Sequence, residues 1–322
     1  MLPFSVLAFG SPPTAQFVEV GDRVKLEVLD WGGTGRPVLL LAGSGNTAHV
    51  YEDFAPKLAE TCHVHVFGIT RRGYGVSSKP ERGYSVPELA EDDWRVIQWL
   101  KIKNPIVVGH SMAGSELAFL GQKHSSQLGG LVFLDANADP MDYPFSNPEF
   151  RELTLKSMKG SQGPPQRTAA DNASVEAYQA YQKKTGMIPF PAAEIKNMYE
   201  INADGSVGKN RTPPFVGHAI DDGSIAKDYR GINIPLLALF AVDLPPAERW
   251  KEQAPKDEQE RWDSARLYAI LMEFIHRWES NLRSADHNAH IVELRGAHHY
   301  MFMSEEEQVL KETHAFLEML RN

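Results

Sequence analysis

The sequence predicts an α/β fold: a mostly parallel, twisted central sheet of about eight strands, with helices on both faces and a helical cap inserted into it. Three observations predict this. Short unbroken apolar runs recur along the 322-residue chain, as expected of strands covered on both faces. Helical-period segments lie between most of them, the alternation that builds a parallel sheet. One long stretch, Ala138 to Arg230, breaks the rhythm.

The first element is a hairpin. Phe17 to Val20 alternates, Gly21-Asp22 turns, and Val24, Leu26 and Val28 alternate again. The unbroken runs follow: Val38 to Leu41, Val64 to Phe67, Ile106 to Val108, Leu131 to Leu134, Leu236 to Phe240 and Ile291 to Leu294. Between them, Val50 to Ala59 reads as a helix with Pro56 near its start. Val86 to Leu100 is another, with Glu88, Glu91, Asp92 and Asp93 in the half where the helix dipole favours acids. Leu267, Leu271, Phe274, Ile275, Trp278 and Leu282 share one helical face, and Glu305 to Leu320 closes the chain as a helix.

From Ala138 to Arg230 no strong strand is legible, yet a structureless run of about ninety residues inside a domain is improbable. The stretch is therefore read as a small helical insertion, with helices at Val175 to Lys184 and Ala192 to Tyr199. Its aromatics, such as Tyr143, Phe145, Tyr178 and Phe190, form either its own core or a substrate wall. The expected organisation is an N-terminal arm over 1–16, a core made of 17–137 and 231–322, and a cap over 138–230.

Composition excludes several classes. Hydrophobic residues at 42% and charged residues at 23% are those of an ordinary globular protein. A net charge of −9 without any basic cluster argues against a nucleic-acid partner. The single Cys62 excludes a disulfide framework and a cysteine-rich metal site. No apolar run approaches a membrane span, so a soluble protein is expected. Leu2 to Phe9 is apolar but short, and reads either as the remnant of a trimmed secretory signal or as a simple arm. The compartment and the oligomeric state stay open.

The chemistry is concentrated in Asn104-Pro-Ile-Val-Val-Gly-His-Ser-Met-Ala-Gly-Ser115. A strand drives into a small-residue turn with a central Ser111, and Glu116 to Gln122 continue as a helix. This is the context of a nucleophile elbow, where strain pushes the serine out at the sheet edge. A serine hydroxyl needs a base, an orienting acid and oxyanion donors, and in a parallel sheet all should follow strand ends. His298 and His299 follow the last run directly. His110 is adjacent to Ser111 on a tight turn and reads as structural; His63, His65 and His276 read as strand or surface residues. Asp243 and Asp135 each follow a strand, so spacing leaves two candidate acids. The loop Leu41-Ala-Gly-Ser-Gly-Asn46 follows the first core strand. It supplies the Ser44 amide as an oxyanion donor, to act with the Met112 amide. No G-K-[ST] follows that loop, which argues against a phosphate cradle.

These parts resemble the α/β-hydrolase superfamily, in the serine esterase-like branch with an inserted helical cap. The order Ser111, Asp243, His299 is similar to the superfamily's nucleophile–acid–base order. Thr70-Arg-Arg-Gly-Tyr-Gly-Val-Ser77 resembles its loop D-x-R-G-x-G-x-S, with Thr70 in place of Asp. Gly296-Ala-His-His-Tyr300 resembles G-A-G-H-F and aligns His299 with the base. Ala42 departs from the family's His-Gly in the oxyanion loop, and Ala113 from the second elbow glycine.

The resemblance implies ester hydrolysis through an acyl-enzyme, with Ser111, Asp243 and His299 as the triad. Gly43, Gly45, His110, Tyr143 and Tyr300 are the candidate substrate contacts. A serine rather than an aspartate at the elbow argues against epoxide opening and halide displacement. The same triad could serve amide, lactone or diketone cleavage, or perhydrolysis; a non-catalytic ligand receptor on this fold is the reading from another class. No metal or cofactor is implied, and the expected partner is a small apolar ester.

Overall fold

The computed structural model describes residues 12–159, 165–252, 254–285 and 289–321. Most of the expected arm, 1–11, lies outside them. Eight strands form one sheet: β1 (Thr14–Glu19), β2 (Lys25–Gly33), β3 (Arg36–Leu41), β4 (Val64–Thr70), β5 (Ile106–His110), β6 (Gly130–Leu134), β9 (Leu236–Val242) and β10 (His290–Arg295). Their order is β1-β2-β4-β3-β5-β6-β9-β10. The expected hairpin is β1–β2, antiparallel in the register Val18↔Leu26. β2 joins β4 antiparallel, and every pair from β4 to β10 is parallel.

The alternating pleat splits the strand side chains between two cores. Leu39, Leu41, Val107 and Phe133 pack on one face with α2 (Val86–Leu100) and α3 (Ala113–His124). Val38, Leu40, Val108 and Val132 pack on the other with α1 (Phe54–Cys62) and α11 (Glu306–Met319), which follows the single turn α10 (Met301–Ser304). Covered on both faces, the strands must be apolar at consecutive positions, and that made them legible. The chain steps from β3 outward to β4, then back past β3 to β5, so β3 and β5 flank the switch point of the sheet. In such sheets ligands bind beyond the carboxyl ends of these strands.

Between β6 and β9 lie the helices α4 (Pro148–Lys159), α5 (Val175–Lys184), α6 (Ala192–Met198) and α7 (Phe215–Asp222). The segment also holds a hairpin, β7 (Tyr199–Ile201) with β8 (Val207–Asn210). The expectation of a helix from Ala192 to Tyr199 is corrected there: α6 ends at Met198, and Tyr199 begins β7. Strands of three and four residues are too short to show an alternation that can be read. A second correction concerns Val50 to Ala59. The chain makes a 3₁₀ turn over Ala48–Tyr51 and starts α1 at Phe54, which puts Pro56 in the first turn, where its missing N–H costs nothing. After β9 come α8 (Pro246–Glu252) and the 28-residue α9 (Glu258–Ala285), whose apolar face is the one predicted.

Candidate active site

The elbow between β5 and α3 is built by close approach. Ser111 is held at φ 56°, a left-handed conformation that costs a non-glycine residue about 1–2 kcal/mol. A side chain at Gly109 would stand 2.5 Å from Leu117, and one at Gly114 would stand 1.7 Å from the carbonyl oxygen of Ala136. Ala113 starts α3 and is not among the residues with positive φ, so its methyl is tolerated. Gly114 rather than position 113 is the glycine this elbow requires.

His299 stands on the loop after β10. Its Nδ1 lies 2.6 Å from Oδ2 of Asp135. Asp135 follows β6 directly, at φ 45°. β9 fixes it from one side: the Asp135 amide donates to Leu239 O at 2.8 Å, and the Ala241 amide donates to Asp135 Oδ1 at 3.1 Å. The expectation that Asp243 stands beside His299 is therefore corrected. β9 runs on to Val242, so Asp243 emerges exposed beyond the strand end. β6 ends at Leu134, and the left-handed turn at Asp135 aims that carboxylate at the β10 loop. His298 is turned away, accepting from the Tyr300 amide at 3.1 Å.

Ser111, His299 and Asp135 line one cavity of about 520 Å³, together with Ser44, Met112 and Tyr143. Pockets of about 300–1,000 Å³ suit small ligands. The remaining wall is mostly apolar and includes Phe240 of β9 and Leu271, Ile275 and Trp278 of α9. Of the expected substrate contacts, only Tyr143 is part of this wall. Gly43 lies behind it: a side chain there would meet His110 Nδ1 at 2.9 Å and Ser111 Cβ at 3.1 Å. Gly45 makes the turn at φ 83°. His110 is fully buried, and burial holds it down at about 3, so it stays neutral; its Nε2 is 2.9 Å from His299 O. Tyr300 packs on His110 and donates its hydroxyl to Asn46 at 2.9 Å.

Three polar groups around the site escaped the sequence reading, Arg71 and Glu194 buried and Lys227 half-buried. Arg71 donates to both carboxylate oxygens of Glu116, at 2.6 and 2.5 Å, and to Ala42 O at 2.9 Å. Burial alone would lower the Arg71 pKa, but Glu116 outweighs it and raises it. Lys227 Nζ donates to Ala136 O at 2.5 Å and Ala138 O at 2.7 Å, and burial brings it down to about 7. Glu194 of α6 accepts from Asn46 Nδ2 at 2.9 Å, from the Thr47 amide at 3.0 Å, and from the Thr47 hydroxyl. Burial raises it to about 7 against the pull of those donors. One of these groups left a trace in the sequence: Arg71 is a second arginine beside Arg72, and its partner Glu116 is an acid in the apolar first half of α3.

Among the described residues no cluster of His, Cys, Asp or Glu is arranged to hold a metal. No helix among them is long and apolar enough to cross a membrane.

Comparison with known proteins agrees with the fold. The chain is 29% identical over 123 residues to an AB hydrolase superfamily protein, YisY, of Bacillus subtilis, covering 38% of this chain and 45% of that protein. It is 28% identical over 118 residues to a 2-(acetamidomethylene)succinate hydrolase of Mesorhizobium japonicum, covering 37% and 41%. The chain thus spans less than half the length of these curated relatives. A crystal structure of E-2-(acetamidomethylene)succinate hydrolase superposes with a TM-score of 0.66 at 19% identity, covering 95% of this chain and 99% of that one. The family profile described as alpha/beta hydrolase fold matches residues 36–222, more than half of the sequence, and the chain belongs to that family.

Proposed function

We propose that this protein is a serine hydrolase that cleaves carboxylic esters through an acyl-enzyme, with Ser111 as nucleophile, His299 as base and Asp135 as the orienting acid. One observation carries this reading: the 2.6 Å contact between His299 Nδ1 and Asp135, in a cavity that Ser111 also lines. With Nδ1–H donated to the carboxylate, Nε2 carries a lone pair and can take the Ser111 proton. Ser111 Oγ attacks the ester carbon, and the resulting oxyanion accepts hydrogen bonds from the Ser44 and Met112 amides. Neither amide donates to another protein backbone group among the described residues. Each such donor is typically worth about 3 kcal/mol in the transition state. His299 returns the proton to the leaving alcohol, and water then releases the acyl group with His299 as base again.

The segment 138–230 acts as the cap of this site, contributing Tyr143, Ile220 and Lys227 to the cavity wall. The apolar wall from β9 and α9 favours esters with apolar acyl or aryl groups over charged ones. The test is a p-nitrophenyl ester series with amide and diketone controls, beside labelling by a fluorophosphonate probe. Wild type should label at Ser111 and turn over the esters fastest. Equal labelling of Ser111→Ala, or an inert wild type, would refute the assignment.

A further inference from the structure

We propose that Glu194, carried on the inserted segment, is a positioning residue for this chemistry: its carboxylate sets the shape of the 43–47 loop that presents the Ser44 amide. The inference rests on the serine hydrolase reading above.

Glu194 is fully buried, with relative exposure 0%. Its carboxylate engages three donors, and all belong to two adjacent residues, Asn46 and Thr47. Those residues close the turn that starts at Gly43, for the Asn46 amide donates back to Gly43 O at 3.3 Å. Ser44 lies inside this turn, so fixing its closing end fixes the direction of the Ser44 N–H. Asn46 extends the link. Its Nδ2 donates to Glu194 while its Oδ1 accepts from the Tyr300 hydroxyl, and Tyr300 is next to His299. One carboxylate therefore ties the oxyanion loop to the β10 loop that carries the base. The opposite end of the 42–47 loop is held separately by Arg71 on Ala42 O.

The helix that carries Glu194 is itself fixed. Ile195 is fully buried in the same core cluster as Val50 and Tyr51, beneath the 3₁₀ turn that Thr47 caps. Phe190, just before α6, packs its ring 5.1 Å from that of Tyr300. A core fold could cap the 48–51 turn with Thr47 alone. Instead the sequence buries a carboxylate whose desolvation is costly unless it is fully bonded, and the bonds are spent on the oxyanion loop. Loss of the carboxylate would free the 43–47 loop and displace the Ser44 amide, while His299 keeps its own bond to Asp135 and Ser111 its place in the elbow. Misplacement of a catalytic group by about 1 Å can cost on the order of a hundredfold in rate.

The experiment compares wild type, Glu194→Gln and Asn46→Ala in steady-state ester hydrolysis and in binding of an alkyl boronic acid, whose tetrahedral serine adduct occupies the oxyanion position. Glu194→Gln keeps the shape but offers an amide N–H₂ to donors. Both variants should lose roughly 10- to 100-fold in kcat with KM within about twofold, and boronate affinity should fall by a similar factor. Thermal midpoints establish that each is folded. A purely structural role would lower the midpoint and leave kcat and boronate affinity near wild type, and that result in either folded variant overturns the proposal. Should Glu194→Gln fail to fold, Asn46→Ala decides by the same readouts. A wild type that neither hydrolyses esters nor binds boronate overturns the parent reading instead.

Discussion

Ser111 and Asp135 share an unusual property: each is a non-glycine residue at positive φ, 56° and 45°, at the end of adjacent strands β5 and β6. Such strain persists only where the surroundings over-determine it, and for Asp135 the determinant is visible in the two hydrogen bonds it exchanges with β9. Asp243 has neither that strain nor a bond to His299. Asp135→Asn should therefore lose roughly 10⁴ in kcat by the template of the orienting acid, while Asp243→Asn stays within a few-fold of wild type; kcat on a p-nitrophenyl ester checks both. A larger loss for Asp243→Asn in folded protein would reverse the assignment. By the same geometry His299→Ala should be nearly inert, and His298→Ala mild. Spacing alone could not separate the two acids, because both end strands at the same sheet edge. The difference lies in the turn taken by one residue, which no pattern of apolar positions encodes.

At the scale of elements, the arrangement depends on polar side chains that join one element to the next. Arg71 ties the loop after β4 to Glu116 of α3 and to Ala42 at the end of β3. The family pattern needs only Arg72 here, whose guanidinium pairs with Asp92 of α2 at 2.6 and 2.7 Å. Removing one partner of a buried pair leaves an uncompensated charge, at roughly 3–5 kcal/mol, whereas replacing both with apolar groups is close to neutral. Glu116→Leu alone should thus lower the urea midpoint far more than Arg71→Met with Glu116→Leu, and equal loss in the two would show that the pair acts otherwise. Lys227 works on the acid's loop. As a neutral amine it has two N–H groups, matching the Ala136 and Ala138 carbonyls. Its folded pKa of about 7 is below the ordinary lysine value. The unfolded chain therefore binds more protons between about pH 7 and 10, and stability should rise with pH across that window. Lys227→Met should flatten the rise in urea midpoint between pH 7 and pH 9; an unchanged slope would assign the rise to another group.

At the scale of the whole molecule, what was legible in the sequence is what burial on two faces imposes. Val38 to Leu41, Ile106 to Val108 and Leu131 to Leu134 had to be continuously apolar, and the strands and the Ser111 elbow followed from them. The polar contacts could not be read, since Glu194, Arg71 and Lys227 reach residues distant in sequence and have no period. The stripe Leu271, Ile275 and Trp278 shows the limit most clearly. Its spacing predicted the helix and its buried face, yet Leu271, Ile275 and Trp278 also form the cavity wall beside His299. Helical period reports that a face is covered and not whether protein or ligand covers it. On the proposed reading this wall takes the apolar part of the substrate, and α9 sets how long that part can be. Ile275→Trp would fill part of the 520 Å³ cavity without touching Ser111, Asp135 or His299. Acetyl ester turnover should stay within about twofold, while kcat/KM for octanoyl esters falls roughly tenfold or more, because a methylene-scale misfit in an apolar pocket is worth about 1–3 kcal/mol. A uniform loss across the chain-length series, or none, would place the acyl chain against the other wall, beside Val86 and Ile220.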